Sequence, residues 1–210
     1  MNQKPLKTKQ LNKKSSHFQR SLLKKVAVII TASLSIGCAT IYEASTTHED
    51  VDSNRGYRTA GSFLEDQTIE GKIIANLRKA DEAFLAAHVV AVSFNGVVLL
   101  VGQVPNDALK QKAQGIAANA RRVRMVSNEL EIGAPSSLKT RMTDSWITTA
   151  VKSKMLATSN FPSTRVKIVT ENSIVYIMGL LSAQEANWAA RLAQQIPQVK
   201  KIVKITEKIH

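Results

Sequence analysis

The stretch HVVAVSFNGVVLLVGQV, residues 88–104, lies over RVKIVTENSIVYIMGLL, residues 165–181, without a gap and at an offset of 77. A repeat of this kind constrains the fold more than any single motif, because each copy must build the same supersecondary unit. Val90 faces Lys167, Val92 faces Val169, the pair Asn95-Gly96 faces Asn172-Ser173, and Gly102 faces Gly179. Upstream, after one residue of slippage, Asp66, Ile69, Ile73 and Leu77 match Asp144, Ile147, Val151 and Met155. These four-residue steps mark one face of a helix.

Each copy then reads helix, strand, turn, strand, helix, strand. The alternating apolar strands are joined by Asn-Gly or Asn-Ser, which tolerate positive φ, and this predicts a hairpin. Ala-rich helices follow over 106–120 and 182–196, and closing strands over 123–132 and 199–209. The order αββαβ predicts an α+β fold of two tandem units, each a small mixed three-stranded sheet with both helices on one face. Units of about 65 to 70 residues sit near the lower limit for independent folding, so packing of one on the other is favoured. The Gly, Pro and Ser of GAPSSLKTR, 133–141, mark the junction, dividing the chain into units at 65–133 and 134–210.

Ahead of the repeats, eight Lys and Arg lie between Lys4 and Lys25, and the first acid is Glu43. The apolar run Val26–Ile36 fits an export signal and is too short to span a bilayer. Cys38 is the only cysteine, so it has no intrachain disulfide partner, and no histidine lies near it in the sequence to make a metal or nucleophile site. With Ser35 and Gly37 before it, Cys38 resembles the cysteine of a bacterial lipobox, although Leu34 stands one place further back than the usual leucine. That resemblance implies a signal peptide over 1–37 and a covalent lipid on Cys38 carrying fatty acyl chains such as palmitate. Ala39, in place of Asp, implies delivery to the outer membrane, facing the periplasm. An uncleaved anchor helix, or a secretory signal with an incidental cysteine, remains open. Residues 38–64 are expected to form the anchor and a flexible tether, because no helical or strand period is sustained there.

Charge must be counted without the leader. With 8 of the 29 Lys and Arg ahead of Cys38, 21 remain against 16 acids, so the mature chain carries +5 where the whole chain carries +13. This removes the case for a nucleic-acid partner and leaves a modestly basic chain suited to anionic lipid.

The unit with VVLLVGQVPN, an Ala-spaced helix and the closing VRMVSNEL resembles the BON domain of bacterial periplasmic proteins. DSWITTAVKSKML, 144–156, and VYIMGLLSAQEAN, 175–187, carry the likeness furthest, and it covers residues 64–208. The order of lipobox, tether and two such units is similar to that of dual-BON outer-membrane lipoproteins. The resemblance implies a non-enzyme that serves envelope integrity, with links to cell division and stress response. It also implies binding of anionic phospholipid by the tryptophan-bearing helix of the second unit.

The residues themselves give no catalytic set. His17, His48, His88 and His210 have no triad or ligand partner in the sequence, and HExxH, GxSxG and P-loop patterns are absent. No cofactor or metal is expected. Gly102 and Gly179 are expected at strand ends where the backbone turns.

A helix is expected from Asp144 to about Thr158, capped by Asp144 or Ser145, with a core stripe of Ile147, Val151 and Met155. At about 100° per residue, Trp146, Ala150, Ser153 and Ala157 point away from that stripe. Thr149 and Leu156 extend the outward face, and Lys152 and Lys154 flank it. Such a face fits shallow membrane contact, with the indole at headgroup level and the lysines near phosphates. The candidate phospholipid-binding set is therefore Trp146, Thr149, Ala150, Lys152, Ser153, Lys154 and Leu156. The matching face of the first unit, Thr68, Gly71, Lys72, Ala75, Arg78 and Lys79, has no aromatic. Burial of Trp146 between the units is the alternative, and Trp188 is expected to lie against the sheet or the other unit. Two other functions stay open: a scaffold for other envelope proteins, and a soluble periplasmic stress protein if Cys38 is not processed.

Overall fold

A computed structural model describes residues 59–208. The leader, Cys38 and the tether through residue 58 lie outside the described residues. The first unit runs α1 (Ala60–Ala80), α2 (Ala83–Ala86), β1 (His88–Phe94), β2 (Val97–Val104), α3 (Asp107–Ala118), β3 (Met125–Asn128) and β4 (Glu131–Ile132). The second runs α4 (Leu138–Ala157), β5 (Val166–Glu171), β6 (Ile174–Leu180), α5 (Ala183–Gln194) and β7 (Lys201–Glu207). β1 and β2 are antiparallel, while β3 and β4 pair parallel to β2 as two segments of one edge strand in one register. In the second unit β5 and β6 are antiparallel and β7 is parallel to β6. The mixed αββαβ sheets are thus those the repeat predicts. One addition is α2, which forms where Asp81 accepts the Ala83 amide at 3.0 Å and which buries Phe84.

Two helices begin earlier than expected. Thr59 caps α1 by accepting the Ser62 amide at 3.1 Å, so residues 60–64, expected in the tether, are helical. Ser137 caps α4 by accepting the Thr140 amide at 3.2 Å, so residues 138–141, expected in the linker, are helical too. Asp144 and Ser145 are consequently mid-helix and cap nothing in α4. The Asp144 carboxylate is committed elsewhere, accepting the Asn172 amide at 3.0 Å and the Ser173 amide at 2.8 Å in the β5–β6 turn. Asp66 does the same in the first unit, accepting from the Asn95 amide at 2.8 Å and the Gly96 amide at 3.0 Å. Asn95, Asn172 and Ser173 all hold positive φ, as the turn pairs require.

Each sheet packs its helices on one face. Ile69, Ile73 and Leu77 of α1 meet Leu109 and Ala113 of α3 over Val98 and Leu100. Ile147, Val151 and Met155 of α4 meet Ala189 and Leu192 of α5 over Val175 and Ile177. The opposite faces form a third core, where Val92, Phe94, Leu99 and Val101 pack on Tyr176, Met178 and Ile205. The two sheets therefore face each other with helices outside, and β2 is buried along its whole length. Repeat-equivalent residues close both ends: Asn172 Nδ2 donates to Glu131 at 2.6 Å, and Asn95 Nδ2 to Glu207 at 3.5 Å. Burial of each sheet on both sides supplies the apolar area that a unit of this size lacks alone.

Gly102 and Gly179 are not at strand ends. They lie within β2 and β6, opposite Val89 and Val166. A Cβ at Gly102, which has φ +115°, would stand 2.0 Å from the His88 carbonyl oxygen, and one at Gly179 would stand 2.4 Å from that of Arg165. The requirement is close approach of a carbonyl at the entry to the neighbouring strand, that of His88 opening β1 and that of Arg165 just ahead of β5.

Candidate functional site

Because Asp144 fixes α4 to the hairpin turn, the helix has one rotational setting. Ile147, Val151 and Met155 go into the core, and the opposite side emerges along the helix. Leu138, Met142, Trp146 and Leu156 are 74%, 65%, 52% and 71% exposed. The first three are spaced by four residues and stack in one row. Thr149 and Ser153 continue the row, both exposed, while Ala150 and Lys154 are half-buried at its edge. Lys139 and Lys152 are exposed beside it.

The hydroxyls on and beside this face are turned back onto the helix. Thr143 donates to the Lys139 carbonyl at 3.1 Å, Ser145 to Arg141 at 2.9 Å, and Thr149 to Ser145 at 2.9 Å. With their donors satisfied internally, these side chains need less from solvent and show more of their carbon to it. Beside the row, Leu138, Lys139, Met142, Thr143 and Trp146 form an open groove of about 650 Å³ with Gln198 of the α5–β7 loop.

The outward Trp146 is therefore not packed between the units. Nor is Trp188, which packs against the second unit's own core with its ring edge-on to Phe161 at 5.3 Å. Leu138, Met142 and Lys139 were hidden from sequence reasoning because the Gly-Pro-Ser junction looked like linker. Their signal was the spacing of four that leads from Leu138 through Met142 to Trp146. On α1, Leu64 occupies the place of Met142 and is 69% exposed, but Thr68 stands where Trp146 would be. His88, without a partner in the sequence, lies with Nε2 3.4 Å from the Glu171 carboxylate, between the sheets.

The BON domain model matches residues 65–134 and 143–206. The chain belongs to the BON-domain family. It is 36% identical over 187 residues to the outer membrane lipoprotein DolP of Haemophilus influenzae, across 88% of this chain and 96% of DolP. It is 38% identical over 148 residues to the 21 kDa hemolysin of Actinobacillus pleuropneumoniae, across 70% of this chain and 76% of that protein. It is 28% identical over 185 residues to osmotically-inducible protein Y of Escherichia coli, across 84% and 90% of the two chains. DolP is by its name an outer membrane lipoprotein, and kinship with it supports an envelope-associated role for this BON protein. The second BON match opens at residue 143, so Leu138 and Met142 belong to a helical extension ahead of it.

Proposed function

We propose that this BON protein is a non-catalytic lipoprotein, held in the outer membrane by acylated Cys38 and facing the periplasm, whose second domain lies on anionic phospholipid through α4 in support of envelope integrity. The observation that carries the reading is the exposed row of Leu138, Met142, Trp146 and Leu156 on a helix whose other side is core. A large amphipathic ring and three aliphatic side chains gain little in water, whereas at a bilayer interface they bury apolar area. Lys139, Lys152 and Lys154 border the row, and each basic residue near an anionic surface contributes about 1 kcal/mol. Acyl chains on Cys38 hold the protein at the membrane, so α4 needs only modest affinity of its own.

The test is flotation of the fragment Ala39–His210, which carries both domains and no acyl chain, with vesicles of phosphatidylcholine alone or mixed with phosphatidylglycerol. Binding to the anionic vesicles that declines with salt is expected. Equal binding to neutral vesicles would remove the lysines from the account.

A further inference from the structure

The two domains differ at one sheet edge. In a two-residue hairpin the pair flanking the turn is hydrogen-bonded across the strands, so every second residue points its N–H and C=O outward. Phe94 lies opposite Val97 and Glu171 opposite Ile174, which makes Ser93 and Ala91 the outward residues of β1, and Thr170 and Ile168 those of β5. In the first domain this edge is closed at Ser93, the outward residue nearest the turn. The Ser93 amide donates to Glu70 Oε1 at 2.8 Å, and the Ser93 carbonyl accepts from Lys167 Nζ at 3.1 Å.

Thr148 takes the place of Glu70 in the second domain. Its hydroxyl is too short to close the strand and donates to Thr170 Oγ1 at 2.8 Å. The outward amides and carbonyls of Thr170 and Ile168 are left with no partner among the described residues, yet the two residues are only 9% and 4% exposed. Backbone groups this enclosed are nearly always paired. They face a groove of about 470 Å³ between α4, β5 and β1, lined by Val92, Arg141, Ser145, Thr148, Ile168 and Thr170.

Of the charged groups that line this groove, Asp144 is taken up by the Asn172 and Ser173 amides. Lys167 is paired with Glu70, and Glu171 with Gln103 and His88. Arg141, held by its Nε on the Ser136 carbonyl at 3.1 Å, has no carboxylate partner among the described residues. Ser136 also donates to Glu171 at 3.3 Å, which sets Arg141 at the turn end of β5.

We propose that β5 is the docking edge for an extended peptide segment of a partner protein, added as a further strand, with an acidic side chain on Arg141. The main chain of such a segment would take the groups that Thr170 and Ile168 present, and its alternate side chains would enter the groove between α4 and β1. This site is distinct from the lipid row but adjoins it, Arg141, Ser145 and Thr148 lying on the flank of α4 between that row and the core.

The experiment selects peptides from a displayed library of random octapeptides against the full chain in detergent, then measures binding of the strongest peptide by fluorescence anisotropy. Selected peptides should alternate β-branched residues and carry an acid toward one end. Thr148→Glu, which puts a carboxylate where Glu70 stands in the first domain, should abolish binding, and Arg141→Gln should weaken it about tenfold. In the unaltered protein the same peptide should slow amide exchange at Thr170 and Ile168 at least tenfold, a readout independent of how the variants fold. Failure to enrich any peptide, undiminished binding to folded Thr148→Glu, or unchanged exchange at both amides would overturn the proposal.

Discussion

Asp144 sits in the seventh position of α4 and accepts the Ser173 amide at 2.8 Å, tying the helix to the turn of its own hairpin. Asp66 and Gly96 repeat the contact in the first domain at 3.0 Å. The bond sets both the height and the rotation of α4, and Trp146 follows Asp144 by two residues. A single contact between residues 29 apart in the chain thereby determines which side chains the second domain shows to its surroundings.

Replacing Asp144 with Ala strands two turn amides in a largely buried site. At about 1–3 kcal/mol for each unsatisfied buried group, the variant should lose about 2–6 kcal/mol in denaturant unfolding. Asp66→Ala should behave alike, since it serves the equivalent turn.

Gly179→Ala forces a Cβ to within 2.4 Å of the Arg165 carbonyl oxygen and should cost about 1–3 kcal/mol of stability. Gly102→Ala should cost more, because the approach is 2.0 Å and φ is positive. Thermal melts of the two variants check the order.

Glu185 gives the stability a pH dependence. Burial pushes its carboxyl upward, but hydrogen bonds from the Ser182 amide and the Arg165 guanidinium outweigh burial and hold it below the usual carboxylate range. A carboxyl lowered in the folded state stabilises the fold above its unfolded pKa, and that contribution is lost as pH falls through the folded value. Glu185→Gln should be less stable at neutral pH and lose less stability between about pH 5 and pH 3 than the unaltered protein, as measured by urea unfolding.

The repeat made most of the fold legible. Matching Asp66 with Asp144 and Asn95 with Asn172 aligned the residues that turn out to bond one another, although the sequence alone cast Asp144 as a helix cap. That error had a physical source: Asp followed by Ser at the head of an apolar period has the form of a cap, and a contact with Ser173 cannot be read locally. The same misreading shortened α4 and concealed Leu138 and Met142. Face-to-face packing of the sheets was foreseen only as a need for mutual burial. Its marker, the apolar character of both sides of VVLLV in β2, is what a strand covered on two faces shows.

Met142 and Leu64 separate a site on α4 from a general property of the first helix of each unit. They are repeat equivalents and similarly exposed, at 65% and 69%. Met142→Glu should weaken vesicle binding of the Ala39–His210 fragment at least tenfold, while Leu64→Glu leaves it unchanged.

The central claim rests on Trp146, and Trp146→Glu tests it most directly, because the ring is 52% exposed and its loss removes little from the core. The measurement is flotation of the Ala39–His210 fragment and its Trp146→Glu variant with vesicles containing phosphatidylglycerol, with circular dichroism to establish that both are folded. The account predicts that the variant stays folded and no longer floats, since a carboxylate replaces the interfacial indole and is repelled by the anionic surface. A folded Trp146→Glu protein that floated as well as the unaltered fragment would contradict it.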